Sequence, residues 1–367
     1  MMSFVLNELS EQVVAAAASH KRVLVKGGGS KGFYGNPETT TTENVISLDV
    51  TAYKGVIEYE PSELVMTAAC GTPLHEIEKL LEEQSQMLPW EPPHFGPQAT
   101  IGGAIATGLA GPRRMAAGAT SDFVLGVRML NAEGRLLRFG GQVMKNVAGY
   151  DMSRLLVGSL GIFGPLMEIS FKVLPKPLHE KTLRHACTIN QAMDLFRHVH
   201  ARSLCISASS WVPENGKNGH MYLRLSGSGV AVAQAKTQLP GDELADEDAR
   251  AFWLSLREQS HPFFNNTTIW RVCVPPLAGK MNESIPLVEW GGGQRWLRQV
   301  QDIRHIRHNA QQLGGHATLF RYPGPDAIPA DGVFHPFRTH IEGITRRLKT
   351  ALDPRGIFNP DRLIKNL

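Results

Sequence analysis

The apolar run Val23-Leu24-Val25-Lys26 empties directly into Gly27-Gly28-Gly29-Ser30-Lys31-Gly32, and the residues after that loop oppose a helix. Glycines at a strand end expose backbone amides that bind phosphate. Gly27, Gly29 and Gly32 satisfy G-x-G-x-x-G, and Asp49 closes a second apolar run where the ribose-binding acid of a dinucleotide fold would stand. That fold needs a helix opening at the loop. Here Phe33-Tyr34-Gly35-Asn36-Pro37-Glu38 and four threonines follow, a stretch of glycine, proline and β-branched residues. The Rossmann reading fails on that ground, and a Walker A loop fails because Phe33 follows Gly32.

Two more glycine-rich stretches accompany the first. Pro97 to Gly108 is nearly all small residues with two hydroxyls, Thr100 and Thr107, so a flat ring or a diphosphate could lie against its main chain. Gly158-Ser159-Leu160-Gly161-Ile162-Phe163-Gly164 precedes an alternating strand and could grip the other end of one cofactor. Taken singly, each also reads as a packed turn or a bulge.

Composition narrows the class. A chain of 367 residues predicts about two domains. A net charge of +4 with no basic patch interleaved by aromatics argues against a nucleic-acid partner. Cys70, Cys187, Cys205 and Cys273 form no C-x-x-C, so no zinc knuckle or iron–sulfur cluster is expected from local ligands. They read as reduced thiols. Asn7, Glu8 and Glu11 interrupt any apolar leader, and no apolar run reaches a membrane-spanning length. The expected location is cytoplasmic, with membrane association only through a partner.

Along the chain, 10–20 and 74–84 read as helices, the latter with Leu74, Ile77, Leu80 and Leu81 in one buried stripe. The runs 46–48, 55–59 and 64–69 read as strands, 123–130 and 135–139 as a hairpin, and 166–174 as a strand ended by Pro175-Lys176-Pro177. That breaker sets the expected boundary between a domain at 1–177 and a second at 178–340. The second alternates helix and strand in an α+β pattern with antiparallel strands, including a long helix at 294–313. Residues 341–367 hold a last helix and the apolar turn Gly356-Ile357-Phe358-Asn359-Pro360, which predicts a terminus docked back on the first domain.

The glycine segments together resemble the vanillyl-alcohol oxidase/p-cresol methylhydroxylase (PCMH-type) flavoproteins. The resemblance lies in the early glycine loop, Pro97 with Thr100-Ile101-Gly102-Gly103, Gly118 with Asp122, the Gly158 to Gly164 run before a strand, and the closing Phe358-Asn359-Pro360. Within that family, Met87 to His94, Gly108 to Arg114 and Arg138 to Asp151 are similar to the glycolate oxidase branch. The implied fold is a two-subdomain PCMH-type FAD-binding domain with an α+β cap. FAD would sit with its diphosphate on amides of Gly27, Gly28, Gly29, Ser30 and Lys31, and its isoalloxazine near Thr100 to Gly103 and Thr107. Gly158, Ser159, Gly161 and Ile162 would hold the adenine side, and Asn359 the ring. Family members with covalent flavin carry a His in the first loop; Ser30 and Lys31 stand there, so the flavin is expected to be noncovalent. Asp361 precedes Arg362 where the family usually continues with Gly and a base, which weakens any anion contact there.

The implied activity is oxidation of glycolate, or a similar small 2-hydroxy acid, to glyoxylate. Electrons would pass through the flavin to partners in a heteromeric glycolate oxidase, namely its sister flavoprotein and its iron–sulfur protein. A self-sufficient FAD-dependent 2-hydroxy-acid or alditol oxidoreductase and a noncatalytic assembly protein are the alternatives. Such chemistry needs a cation for the carboxylate, a base for the hydroxyl proton and a hydride acceptor. The candidates are Arg113, Arg114, Lys145, Tyr150, His316 and Arg321. His316 lies in a worn version of the family's G-H-x-G-D-G-N-x-H segment that lacks the second His, so no metal site is expected. Arg295, Arg298, Arg304, His305, Arg307 and His308 read as a solvated helix face or a docking surface.

Overall fold

The strand Arg22–Lys26 pairs in parallel with Val45–Asp49, Val23 opposite Ile46 and Lys26 opposite Asp49. The computed structural model describes residues 2–38, 44–141, 150–202, 204–276, 278–279, 285–298 and 302–367. The loop after the first strand runs as turns, not helix, as its glycine and proline content requires. The helix Met2–Ala18 buries Leu9, Val13, Ala16 and Ala17 against Val23, Leu48 and Tyr53. Ile357 and Phe358 close the same cluster from the far end of the chain.

A five-stranded antiparallel sheet follows, in spatial order Val56–Glu60, Val65–Ala69, Leu166–Lys172, Val124–Leu130 and Leu136–Gly140. The helix Leu74–Glu83 packs on it through Leu74, Ile77 and Leu81. Leu80 falls outside that stripe and is exposed, because the apolar face needs only the i, i+3 and i+7 positions. The small-residue stretch contains a helix, Ile101–Thr107, that its two glycines conceal in the sequence. Thr100 Oγ1 caps it by accepting from Gly103 N at 3.2 Å, and Gly108 ends it with φ 62°. Gly102 is there because a Cβ would lie 2.7 Å from Cys70 Cβ.

Among the described residues, no strand after Pro175 joins these sheets. The eight later strands of the described residues form one antiparallel sheet, in spatial order Asp242–Glu243, His179–Thr188, Asn218–Gly227, Ile206–Asn215, Leu287–Glu289, Gln294–Arg298, Ile269–Cys273 and His316–Arg321. Helices Ile189–His200, Gly229–Gln238, Asp246–Arg257 and Ile303–Gln312 accompany it. The single helix expected at 294–313 is instead a strand and a shorter helix. Gln294–Arg298 pairs on both sides, with Leu287–Glu289 and with Ile269–Cys273, and buries Trp296 and Leu297. Sheet pairing outweighs local helix preference there. The expected solvated basic face is likewise dispersed. Arg295 and Arg307 are buried, the first donating to the carbonyls of Ala278, Gly279 and Gly292, the second to those of Gly332 and Phe334.

The helix Thr339–Leu352 sends the chain back to the first sheet. Val23 N donates to Ile357 O at 2.7 Å and Asn359 N to Val23 O at 2.9 Å, so the terminal segment docks beside the opening strand.

Candidate functional site

A cleft of about 360 Å³ opens where the three glycine segments converge. Gly27 to Gly32 form one wall, Thr100, Gly102, Gly103, Ala106 and Thr107 a second, and Leu160, Gly161 and Asn359 a third. The first wall approaches the second so closely that only glycine serves. A Cβ on Gly28 would lie 1.5 Å from Gln98 O, and one on Gly27 would lie 2.8 Å from Thr100 Oγ1. Gly29 has φ 72° and open space around it, so backbone conformation alone selects glycine there. Among the described residues, none of the amides of Gly27, Gly28, Gly29, Ser30 or Lys31 donates a hydrogen bond within the chain. A run of free amides at a strand end is a nest for an anion.

The third wall is held by the carboxy terminus. Asn359 Oδ1 accepts from Val25 N at 2.8 Å and its Nδ2 donates to Leu160 O at 2.6 Å. Its amide group is thereby used within the chain, which makes Asn359 a positioning residue. Lys349 Nζ donates to Ile162 O at 2.5 Å, to Asp353 Oδ2 at 2.6 Å and to Phe358 O at 2.9 Å, and Asp353 takes the amides of Ile357 and Phe358. Arg362 donates to the carbonyls of Gly32, Tyr34 and Asn36. The basic residue after Phe358-Asn359-Pro360 thus braces the first loop from behind.

Several expected cofactor contacts lie off the cleft lining. Pro97 is exposed beside it, and Ile101 is fully buried in the core. Gly158 N donates to Ile105 O at 3.0 Å and Leu160 N to Ala106 O at 2.8 Å, so this segment is stitched to the helix of the second wall. Ile162 contributes its carbonyl to Lys349. Ser159 is buried, and its Oγ has no hydrogen-bond partner among the described residues. Gly118 and Asp122 form a local cap instead of a cleft contact: Asp122 Oδ2 accepts from Ala119 N at 2.8 Å to open a short helix, and Gly118 turns there with φ 121°. Tyr34, Cys70, Lys26 and Glu38 also line the cleft, and no local motif marks them in the sequence.

Lys31 is buried, and burial pushes its ammonium down to about 8 against the pull of Glu258. Burial pushes the Cys70 thiol well up. Beyond Tyr34 lies a second charged cluster. Tyr34 hydrogen-bonds Arg271, whose Nε donates to Gln294 Oε1 at 2.7 Å. The guanidinium carbons of Arg271 and Arg114 stand 5.3 and 4.6 Å from the centroid of the Trp290 ring. Cys273 is the neighbour of both arginines and hydrogen-bonds His316, its partner across the sheet. Burial alone would raise the Cys273 thiol; Arg271, His316 and Arg114 outweigh it and bring it down to about 7.

The sequence candidates for chemistry separate sharply. Arg113 is buried and spent: it binds Glu91 at 3.3 Å and Glu180 at 2.6 Å. Its neighbour Arg114 has no acidic partner within ion-pair distance among the described residues. Arg321 donates twice to Gln259 Oε1, at 3.1 and 2.9 Å, and packs over Phe33 and Phe95 at the edge of the first loop. Tyr150 is 95 % exposed, and Lys145 lies outside the described residues. Arg271, Cys273 and Trp290 carry no sequence signal, because their meeting depends on strands that are not adjacent in the chain.

Across 98 % of its length the chain is 42 % identical to Glycolate oxidase subunit GlcE of Escherichia coli strain K12, covering 97 % of that protein. The chain belongs to the GlcE family of glycolate oxidase subunits. Residues 6–140 of this GlcE-family chain match the model of an FAD binding domain. Glycolate oxidase subunit GlcD of Bacillus subtilis strain 168 is 31 % identical over 47 % of the chain and 36 % of its own length. The fold is that of a solved alkyldihydroxyacetonephosphate synthase, with a TM-score of 0.69 at 15 % identity over 97 % of the chain and 76 % of that structure. The GlcE-family chain is therefore an FAD-binding oxidoreductase subunit. The cleft suits that cofactor: its first wall tolerates no Cβ at Gly28, and among the described residues the amides of its first loop are unused donors.

Proposed function

We propose that this chain is the FAD-holding subunit of a glycolate oxidase and serves the oxidation of glycolate to glyoxylate. The full-length likeness to GlcE carries the reading, supported by a cleft whose donors suit a nucleotide diphosphate. Residues 1–177 form the FAD-binding part, 178–340 the cap, and 341–367 the segment that braces the cleft. The flavin is held without a covalent bond: no histidine lines the described cleft, and the lining thiol, Cys70, is pushed toward its unreactive protonated form by burial. Bound FAD supplies a two-electron acceptor. Electrons then leave through a sister flavoprotein and an iron–sulfur protein of the same complex, at the membrane surface.

For substrate, the Arg114 and Arg271 guanidiniums are the pair best suited to a carboxylate. They flank one indole, Arg114 has no carboxylate within ion-pair distance among the described residues although Asp122 attracts it from farther off, and like charges kept close together favour an anion between them. His316, hydrogen-bonded to Cys273, is the candidate base for the hydroxyl proton. The purified chain should be yellow and release all its flavin on acid precipitation. Anaerobic glycolate should bleach it only with its partner subunits present. Bleaching of the isolated chain would make it self-sufficient, and a colourless protein that takes up no FAD would overturn the reading.

A further inference from the structure

Lys31 is the only charged residue of the first glycine loop. Its side chain is buried, with Nζ donating to Ser30 Oγ at 3.5 Å and to His94 O at 3.3 Å. Among the described residues no carboxylate lies within ion-pair distance of it. Glu258 attracts it from the cap, but that carboxylate already accepts from Phe95 N at 2.7 Å, His94 N at 3.1 Å and Arg257 Nε at 2.7 Å. Other charges face the same place. Arg321 shares the Phe95 ring with Lys31, Arg362 holds the loop carbonyls, the His94 ring pairs with Glu78 at 3.0 Å, and Glu38 lines the cleft. A buried cation without a committed counter-ion stands beside five unused amide donors.

We propose that Lys31 is the counter-charge for the diphosphate of FAD, and that in alkaline solution loading the cofactor takes up a proton at the Lys31 Nζ, converting neutral amine to ammonium. The proposal rests on the reading that the first loop holds the diphosphate. Without an anion the desolvated ammonium loses its proton near pH 8. Negative charge on the adjacent amides favours the protonated form, so the bound state keeps the proton to higher pH than the free state. Below about pH 7 both states are protonated and affinity is flat. Above the free-state midpoint only the complex holds the proton, and affinity falls toward about tenfold per pH unit.

The test is FAD titration of the intact, flavin-stripped chain by fluorescence quenching from about pH 6.5 to 9.5, with calorimetry at about pH 8.5 in two buffers of different ionisation enthalpy. The expected result is the stated slope, with roughly three quarters of a proton taken up per FAD at about pH 8.5, the fraction of a group titrating near 8 that is deprotonated before binding. Lys31→Arg should bind tightly with no slope, and Lys31→Met should bind at least about tenfold more weakly at neutral pH, also with no slope. A flat wild-type profile without proton uptake would overturn the proposal while leaving the cofactor site intact, as would a slope that survives in Lys31→Met. No FAD binding at any pH would overturn the cofactor reading itself, and this proposal with it.

Discussion

Asn359 and Val25 are 334 residues apart, yet Asn359 Oδ1 accepts the Val25 amide hydrogen bond at 2.8 Å, at the end of the strand that leads into the first glycine loop. The same side chain reaches Leu160 O with its Nδ2. One amide group therefore ties the strand end that leads into the first glycine loop to the Leu160-Gly161 segment of the third wall. Its backbone sits at φ 38°, a conformation that asparagine tolerates better than most residues.

Asn359→Ala should leave the Val25 amide and the Leu160 carbonyl without partners in a buried place. Each such group costs about 1–3 kcal/mol, so the melting temperature should fall by several degrees and flavin retention on gel filtration should drop. Asn359→Asp is the sharper control. It keeps an acceptor for Val25 but sets a second acceptor against Leu160 O, and should be no better than alanine.

Gly28→Ala and Gly29→Ala should part company although they are neighbours. A methyl on Gly28 collides with Gln98 O, so the loop must leave the second wall and the protein should elute colourless. At Gly29 nothing lies within 4 Å, and the cost is left-handed strain of about 1–2 kcal/mol. Gly29→Ala should fold and still carry flavin, detected by the visible absorption of the oxidised ring, in conditions where Gly28→Ala does not.

How much the sequence discloses follows from how local each constraint is. The triple glycine, the missing helix after it and the docking of Ile357-Phe358 depend on a few adjacent residues, and they are readable there. The helix Ile101–Thr107 is hidden because Gly102 and Gly103 lower helix propensity, while the reason for Gly102, its approach to Cys70, lies far back in the chain. The strand Gln294–Arg298 reads as helix because its pairing partners come from two other segments. Arg113 and Arg114 are indistinguishable as letters. Only Glu91 and Glu180, brought up from both sides, consume the first and leave the second.

That contrast predicts opposite phenotypes. Arg113→Ala leaves Glu91 and Glu180 to share the buried Arg224, a cluster short of one positive charge, and removing one partner from buried ion pairs costs up to about 3–5 kcal/mol; the variant should lose thermal stability more than substrate affinity. Arg114→Ala should melt within about 1 kcal/mol of the parent and keep its flavin. Its KM for glycolate in the assembled complex should rise by about tenfold or more, the worth of one charge-assisted hydrogen bond. Unchanged KM in Arg114→Ala and Arg271→Gln alike would remove this pair as the carboxylate site.

Cys273 extends the same cluster into pH dependence. An ordinary thiol ionises near pH ~8.5, whereas Arg271, His316 and Arg114 hold Cys273 at about 7 despite burial. The thiolate is the reactive form, so alkylation by iodoacetamide should rise with pH through about 7 at Cys273, roughly one to two units earlier than for an ordinary thiol. Cys70, pushed the other way by burial, should stay unmodified in the folded chain. Because the cations that depress the Cys273 pKa are the ones assigned to the carboxylate, a bound anion that engages Arg114 and Arg271 must weaken their hold on the thiolate. Oxalate should therefore shift the alkylation midpoint upward. Peptide mapping by mass spectrometry across a pH series, with and without oxalate, measures both effects, and a midpoint indifferent to oxalate would separate the thiol from the substrate site.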